Sequence, residues 1–445
     1  MAKEVKASSS SREHFGSKFG FILACIGSAV GMGNIWLFPY RVGQFGGAAF
    51  LIPYLIFVVL IGYTGVIGEM AFGRAMEAGP LGAFDKALKR RGKNYGGLIG
   101  MIPVLGSLGI AIGYSVVMGW ILRFSAGAIG GSLLKAQSSG AYFGSLTENF
   151  GSLGWHFLAL FLTFFIMAAG ISSGIERINK VLMPAFFGLF LLLGIYVFTL
   201  PGSAAGYSYL FKPNWSALGN LKTWVFALGQ AFFSLSLAGS GTLVYGSYLN
   251  KEEDILHSAG FVAVFDTLAA LLSAMVILPA VFAFGMDPGA GPGLMFVTMP
   301  EIFKQMPLGA IFSLVFFVAV LFAGITSLVN LFESPIEALQ YHFKMSRPIA
   351  VALVLILAAV VGVFIEEGGR LGLWMDVVSI YVIPLGALLA GIMFYWVCGM
   401  KFAREQLQMG REKPIGPWLE PAAKYLFVGL TILVYILGIF YGGIG

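Results

Sequence analysis

Long apolar runs separated by short polar stretches dominate the chain. Eleven can be marked, at about 19–40, 47–72, 96–126, 155–172, 177–200, 222–248, 256–284, 308–341, 348–365, 373–399 and 420–442. A membrane-crossing helix needs roughly 20 predominantly apolar residues. Each run therefore predicts a transmembrane helix, and the longer ones predict tilt or extension past the bilayer. Two runs are interrupted. Span 1 carries I-G-S-A-V-G-M-G-N-I-W-L-F-P from Ile26 to Pro39, with glycines at Gly27, Gly31 and Gly33. Each glycine costs a helix interior about 1 kcal/mol against alanine. In lipid, the backbone groups so freed must be satisfied by protein or by a ligand. The stretch predicts a helix broken at mid-membrane, with carbonyls and amides able to hold something. Close helix packing through Gly27-x-x-x-Gly31 is the competing reading. A second interruption, Ser234 to Gly241, lies in span 6.

Composition agrees with the pattern. The 445 residues are 58% hydrophobic and 11% charged, which no soluble domain resembles, so an all-α polytopic membrane protein is expected. The net charge of +6 is no nucleic-acid signal, because the basic residues sit in short loops. Residues 1–18 are polar and predict no cleavable signal ahead of span 1. Cys25 and Cys398 lie far apart in apolar runs and suggest neither a disulfide framework nor a metal cluster. With the N-terminus in the cytoplasm, that side collects 20 of the 27 Lys and Arg. Only Arg41, Arg123, Lys135, Lys212, Lys222, Lys304 and Arg370 fall on the other. The positive-inside rule thus predicts a cytoplasmic N-terminus and, after eleven spans, an extracellular C-terminus.

The eleven spans divide five plus five plus one, and each half opens on an interrupted span entered from the opposite side. The expected organisation is a cytoplasmic segment (1–18), a first inverted repeat (19–200), an extracellular loop (201–221), a second repeat (222–399), a cytoplasmic loop (400–419) and a last span with the C-terminus (420–445). Broken helices at matching places in inverted halves point to a secondary transporter with its site between the breaks; the motifs below belong to the family in which this pattern is best known.

Those motifs are G-S-A-V-G-M-G-N-I-W-L-F-P at 27–39, F-G-G-A-A-F-L-I-P-Y at 45–54, G-E-M-A-F-G-R at 68–74, G-Q-A-F-F-S-L-S-L at 229–237 and A-G-I-T-S at 323–327. With them the chain resembles the neurotransmitter:sodium symporters over about residues 12–440. Among these it looks most like the bacterial multi-hydrophobic amino-acid transporters. The resemblance implies a cell-membrane protein that imports hydrophobic L-amino acids with sodium, not an enzyme, and with no nucleic-acid partner.

Sodium is a hard cation and takes oxygen ligands. The break in span 1 offers the carbonyls of Gly27, Ala29 and Val30 and the side chain of Asn34. In span 8, Ala323, Thr326, Ser327 and Asn330 share one helix face. A Thr or Ser hydroxyl can instead bond back to its own helix. By resemblance, two sodium ions are expected. One site takes Ala29, Asn34, Ser234 and Asp266, completed by the substrate carboxylate. The other takes Gly27, Val30, Ala323, Thr326 and Ser327.

The resemblance also implies a zwitterionic substrate. Its carboxylate meets amides near Gly31 and Gly33 and the Tyr114 hydroxyl. Its ammonium meets carbonyls around Phe233, Ser234 and Ser236. Its side chain meets Met32, Ile110, Phe233, Ala238, Gly239 and Leu331, with Ala29, Leu237, Ser327 and Asn330 completing the pocket. Tyr114 and Phe233 correspond to an aromatic lid. Relatives selective for small aliphatics carry an aromatic where Gly239 stands, so a roomy pocket is expected. Gly174 and Pro184 match a Gly-x9-Pro segment that unwinds for release to the cytoplasm.

Three positions depart from the pattern. Leu37 stands where relatives have the outer-gate Arg, although its partner Asp376 is kept; Arg41 is a candidate substitute. Tyr341 stands where an Asp would pair with Arg12 at the inner gate. Asp266 stands where relatives usually have Asn. An ionisable residue inside a span is functional by default. A fixed carboxylate there predicts transport without chloride. A substrate-gated channel or sensor on the same scaffold is the alternative. A membrane enzyme is disfavoured, since no H-E-x-x-H, G-x-S-x-G or phosphate loop occurs.

Overall fold

The computed structural model describes residues 13–237 and 240–444, which are helical with no strand among them. Eight helices are long and apolar enough to cross a membrane: Ala48–Met76 (span 2), Gly96–Ile129 (span 3), Ile171–Thr199 (span 5), Ile255–Ala283 (span 7), Gly309–Phe343 (span 8), Arg347–Ile365 (span 9), Gly368–Val397 (span 10) and Glu420–Tyr441 (span 11). Span 1 is a bent pair, Lys18–Ala29 and Gly33–Gln44, meeting at 50°. The other two expected runs are shorter. Span 4 is Leu153–Ala168, and span 6 is Leu221–Ser234 followed by Gly241–Gly246. Among the described residues the helices that cross by length and apolarity number eight, or nine with the bent pair; a count of eleven depends on these last two.

Several boundaries differ from the sequence reading. Span 5 begins at Ile171, not 177, just after Gly170 with φ +97° turns the chain. The polar stretch S-S-G-I-E looked like a loop, yet it forms a wide π-type turn. Its carboxylate is supplied with donors: Glu176 accepts from the Gly16 amide (2.6 Å) and the Ser17 hydroxyl (2.8 Å), and pairs with Lys180 (2.6 Å). The helix continues through Pro184, so the Gly174–Pro184 segment is wound here. The expected loops 201–221 and 400–419 carry helices of their own, Ser203–Phe211, Trp215–Leu218 and Met400–Gln408.

Span 8 is the central strut, packing along spans 1, 3 and 5. Span 7 lies against spans 2 and 5 and both halves of span 1. Small residues let backbones touch where these elements cross. A β-carbon added at Gly73 of span 2 would overlap the Leu243 carbonyl, and one at Gly246 would overlap the Met70 carbonyl. Such contact is the main source of helix association in lipid, where apolar side chains gain little by leaving the hydrocarbon. Gly73→Val should therefore force spans 2 and 6 apart and destabilise the protein by about 1–3 kcal/mol. A thermal unfolding scan of the purified protein checks this, and an unchanged midpoint would contradict the packing.

Candidate functional site

The two breaks face each other inside the bundle. Helix Lys18–Ala29 ends at Val30, which is extended at φ −73° and ψ 108°. The chain resumes at Gly33 as a wide turn and then an α-helix. In span 6 the helix stops at Ser234, and Ser236 and Ser240 take φ +53° and +55°, a region rarely used by side chains other than glycine. Gly31 belongs to the break, while Gly27 lies in intact helix with no room for a β-carbon. The glycines thus serve both readings, the break and close packing.

One polar cluster joins the breaks. Asn34 Nδ2 donates to Asp266 Oδ1 (2.7 Å), to the Asp266 carbonyl (3.0 Å) and to Ser234 Oγ (3.1 Å). The Ser234 hydroxyl donates to both Asp266 oxygens, at 3.0 and 2.9 Å. Asn34 Oδ1 accepts from the Gly31 amide (3.1 Å). Asp266 is fully buried and has no cation beside it among the described residues. Among the described residues, its neutralising contacts are these donors. Gln230 Oε1 has no hydrogen-bond partner among the described residues, while Gln230 Nε2 donates to the Gly33 carbonyl (3.0 Å).

The second group is equally compact. A β-carbon at Gly27 would lie 3.0 Å from Thr326 Cβ, and one at Gly31 would lie 2.8 Å from Ser327 Oγ. The Thr326 hydroxyl donates back to Ala323 O (2.9 Å), as its alternative reading expected. A hydroxyl that donates this way keeps its lone pairs for another partner. The arrangement is therefore compatible with both the helix bond and cation binding.

A cavity of about 690 Å³ starts at the breaks and runs to the end of the bundle bearing Thr147, Pro292 and Glu367. Eleven expected substrate residues line it: Ala29, Gly31, Met32, Gly33, Ile110, Tyr114, Phe233, Ser234, Ser236, Ser327 and Leu331. The Met32 amide donates to the Tyr114 hydroxyl (3.2 Å), and the Ser236 hydroxyl donates to the Ser28 carbonyl (2.8 Å). Tyr114 and Phe233 both line the cavity, and no ring contact joins them among the described residues. Two expected residues fall elsewhere. Leu237 is fully buried against Gly65 of span 2, and Asn330 sits behind the cavity against Gly241. Leu237 points off the break because Ser236, at φ +53°, turns the chain there, whereas Asn330 sits in the unbroken span 8 helix on the face turned to Gly241. Ala238 and Gly239 lie outside the described residues.

Other lining residues were not anticipated. Val117 is one turn from Tyr114 on span 3, a spacing that should have included it. Met375, Ser379 and Ile383 come from span 10, which carried no motif. At the rim, Asp376 is exposed and Leu37 faces the same space. Glu367 accepts from the Gly369 and Arg370 amides, which hold its carboxyl below the usual range and keep the rim negative. The Arg41 guanidinium lies over Phe226, 4.4 Å from the ring centre, and among the described residues no ion pair joins it to Asp376.

The opposite end is shut by a buried ionic group that the sequence reading missed. Arg347 of span 9 pairs with Glu333 of span 8 (2.6 Å) and with Glu13 (2.9 Å), and the Tyr248 hydroxyl donates to Glu333 (2.7 Å). Arg12 lies outside the described residues. The signal was present, since Glu333 and Glu337 interrupt an otherwise apolar helix.

The chain matches the model of the sodium:neurotransmitter symporter family over residues 12–144 and 141–440. It belongs to that family. An uncharacterised sodium-dependent transporter of Bacillus subtilis, YhdH, is 39% identical over 320 residues, 71% of this chain and 70% of that protein. One from Methanocaldococcus jannaschii is 31% identical over 452 residues, 96% of this chain and 90% of that protein. The crystal structure of MhsT in complex with L-phenylalanine superposes with a TM-score of 0.86 at 34% identity, covering 96% of this chain and 99% of that one. This protein is thus a membrane transporter of a sodium-dependent symporter family, and its fold is that of MhsT.

The cavity boundary can be mapped chemically. With Cys398→Ser as background and Cys25 fully buried, Leu37→Cys and Ser379→Cys should react readily with a soluble maleimide. Leu237→Cys and Asn330→Cys should not. Equal labelling of all four would contradict the lining.

Proposed function

We propose that the protein carries hydrophobic L-amino acids, aliphatic and aromatic, into the cell together with sodium by alternating access, without need of chloride. The observation that carries this reading is the cavity floor. There the two helix breaks meet, with the buried Asp266 carboxylate bonded behind Ser234, beneath apolar walls from Ile110, Val117 and Leu331. The amides at the span 1 break and the Tyr114 hydroxyl suit a carboxylate, and the span 6 carbonyls suit an ammonium. MhsT, one third identical, holds phenylalanine, which supports an aromatic side chain in the same space.

In this reading Ala29, Asn34, Ser234 and Asp266 hold one sodium with the substrate carboxylate. Gly27, Val30, Ala323, Thr326 and Ser327 hold the other. Asp266 already engages the donors of Asn34 and Ser234 that a mobile anion would need. A second anion beside it would be repelled in a site of low dielectric. The rim with Asp376 faces outside the cell membrane, as the distribution of Lys and Arg favours. The Arg347–Glu333–Glu13 group then closes the cytoplasmic side. Inward opening must break it and unwind the segment from Gly174 to Pro184.

Two sodium ions with a neutral zwitterion move two charges. At about 2.3 kcal/mol per charge per 100 mV, the membrane potential alone supplies on the order of 4.6 kcal/mol, or about three decades of accumulation. The test is uptake of a labelled amino-acid panel into proteoliposomes. Phenylalanine, tryptophan and leucine should accumulate with a sodium gradient, and replacement of sodium by potassium should abolish this. Replacing chloride by gluconate should leave uptake unchanged in the native protein. Asp266→Asn should lower sodium affinity and make uptake respond to chloride. Uptake indifferent to sodium would sink the whole reading; a large loss in gluconate would sink the role of Asp266.

A further inference from the structure

Asn179 of span 5 is a buried amide with one half unused. It is 1% exposed. Its Nδ2 donates to the Ile175 carbonyl one turn back (2.8 Å), which fixes which end is nitrogen. Its Oδ1 has no hydrogen-bond partner. Buried carbonyl oxygens are rarely left so, and one that is calls for an explanation.

The oxygen is aimed at a particular place. A β-carbon added at Gly27 would overlap Asn179 Oδ1 and would lie 3.0 Å from Thr326 Cβ. Gly27, Thr326 and the orphan oxygen therefore converge on one point. Gly27 and Thr326 come from spans 1 and 8, so Asn179 is the contribution of a third helix. A weak Cα–H contact from Gly27 is the bland alternative. It would explain tight packing, but not an amide where any small apolar side chain could pack.

We propose that Asn179 Oδ1 is a further oxygen ligand of the sodium ion held between Gly27 and Thr326. The inference rests on the sodium-site reading above and extends it to span 5. An amide oxygen is a neutral, hard donor suited to sodium. Asn179 stands midway between Gly174 and Pro184. Unwinding that segment withdraws this ligand, so opening to the cytoplasm and loosening of the cation become one event. Intact helix holds the ligand in place, and the ion in turn holds the helix wound.

The test is equilibrium binding of radioactive sodium to the purified full-length protein, for Asn179→Ala, Asn179→Asp and Thr326→Ala. Removing one ligand to a charged group should raise the half-saturating sodium concentration about tenfold. Both Asn179→Ala and Thr326→Ala should show this. Asn179→Asp puts a formal charge at the same place and should lower it. If Thr326→Ala shifts the midpoint and Asn179→Ala leaves it within about twofold, the inference is overturned while the site stands. If neither shifts it, the site reading fails and takes the inference with it. A purely structural Asn179 would lower the melting temperature equally with and without sodium, at an unchanged sodium midpoint, and this also overturns it. Should Asn179→Ala not fold, an unshifted midpoint in Asn179→Asp decides against the ligand.

Discussion

A polar group at membrane depth has no water to turn to, and the centre of this molecule follows from that constraint. Two helices stop within the bundle, at Val30 and at Ser234, and each leaves backbone groups that the helix cannot satisfy. Asp266 ties the two ends together through Asn34 and Ser234. A carboxylate buried with hydrogen-bond donors but no cation is an arrangement that attracts one. The breaks, the carboxylate and the need for a cation are thus one problem with one solution.

The two ends of the bundle are built differently. At the open end apolar Leu37 and the carboxylate of Asp376 face the cavity, and no ion pair involves Asp376 among the described residues. At the closed end, Arg347, Glu333 and Tyr248 form a desolvated group that the half-exposed Glu13 joins from outside. The segment from Glu13 to Lys18 is fastened to three elements there: Arg347, Glu176 and, through His14, the Tyr248 carbonyl. Buried ion pairs add little net stability but are costly to break by halves. Such a group opens as a unit, which suits a gate with two states.

The membrane class, the helices and the two breaks were legible because hydrophobic length and mid-span glycines are local signals. Motifs carried most of the site, and eleven of the expected pocket residues do line the cavity. What was missed depends on tertiary contact. Glu176 looked like a loop residue, because its donors lie 160 residues away at Gly16. Arg347 and Glu333 meet across two helices. Leu237 follows the break, where a period-based reading no longer says which way a side chain points. Span 10 lines the cavity with ordinary apolar residues that no motif marks. The orphan oxygen of Asn179 is invisible in a sequence, since only the fold reveals what it faces.

The central claim is that the substrate carboxylate and the Asn34–Ser234–Asp266 cluster share a sodium ion. The most direct measurement compares binding of L-phenylalanine with that of its carboxamide, in sodium and in potassium. The account predicts that sodium tightens phenylalanine at least about tenfold more than the carboxamide, since a charge-assisted contact is lost with the carboxylate. The same sodium dependence for both compounds, or none for either, would contradict it.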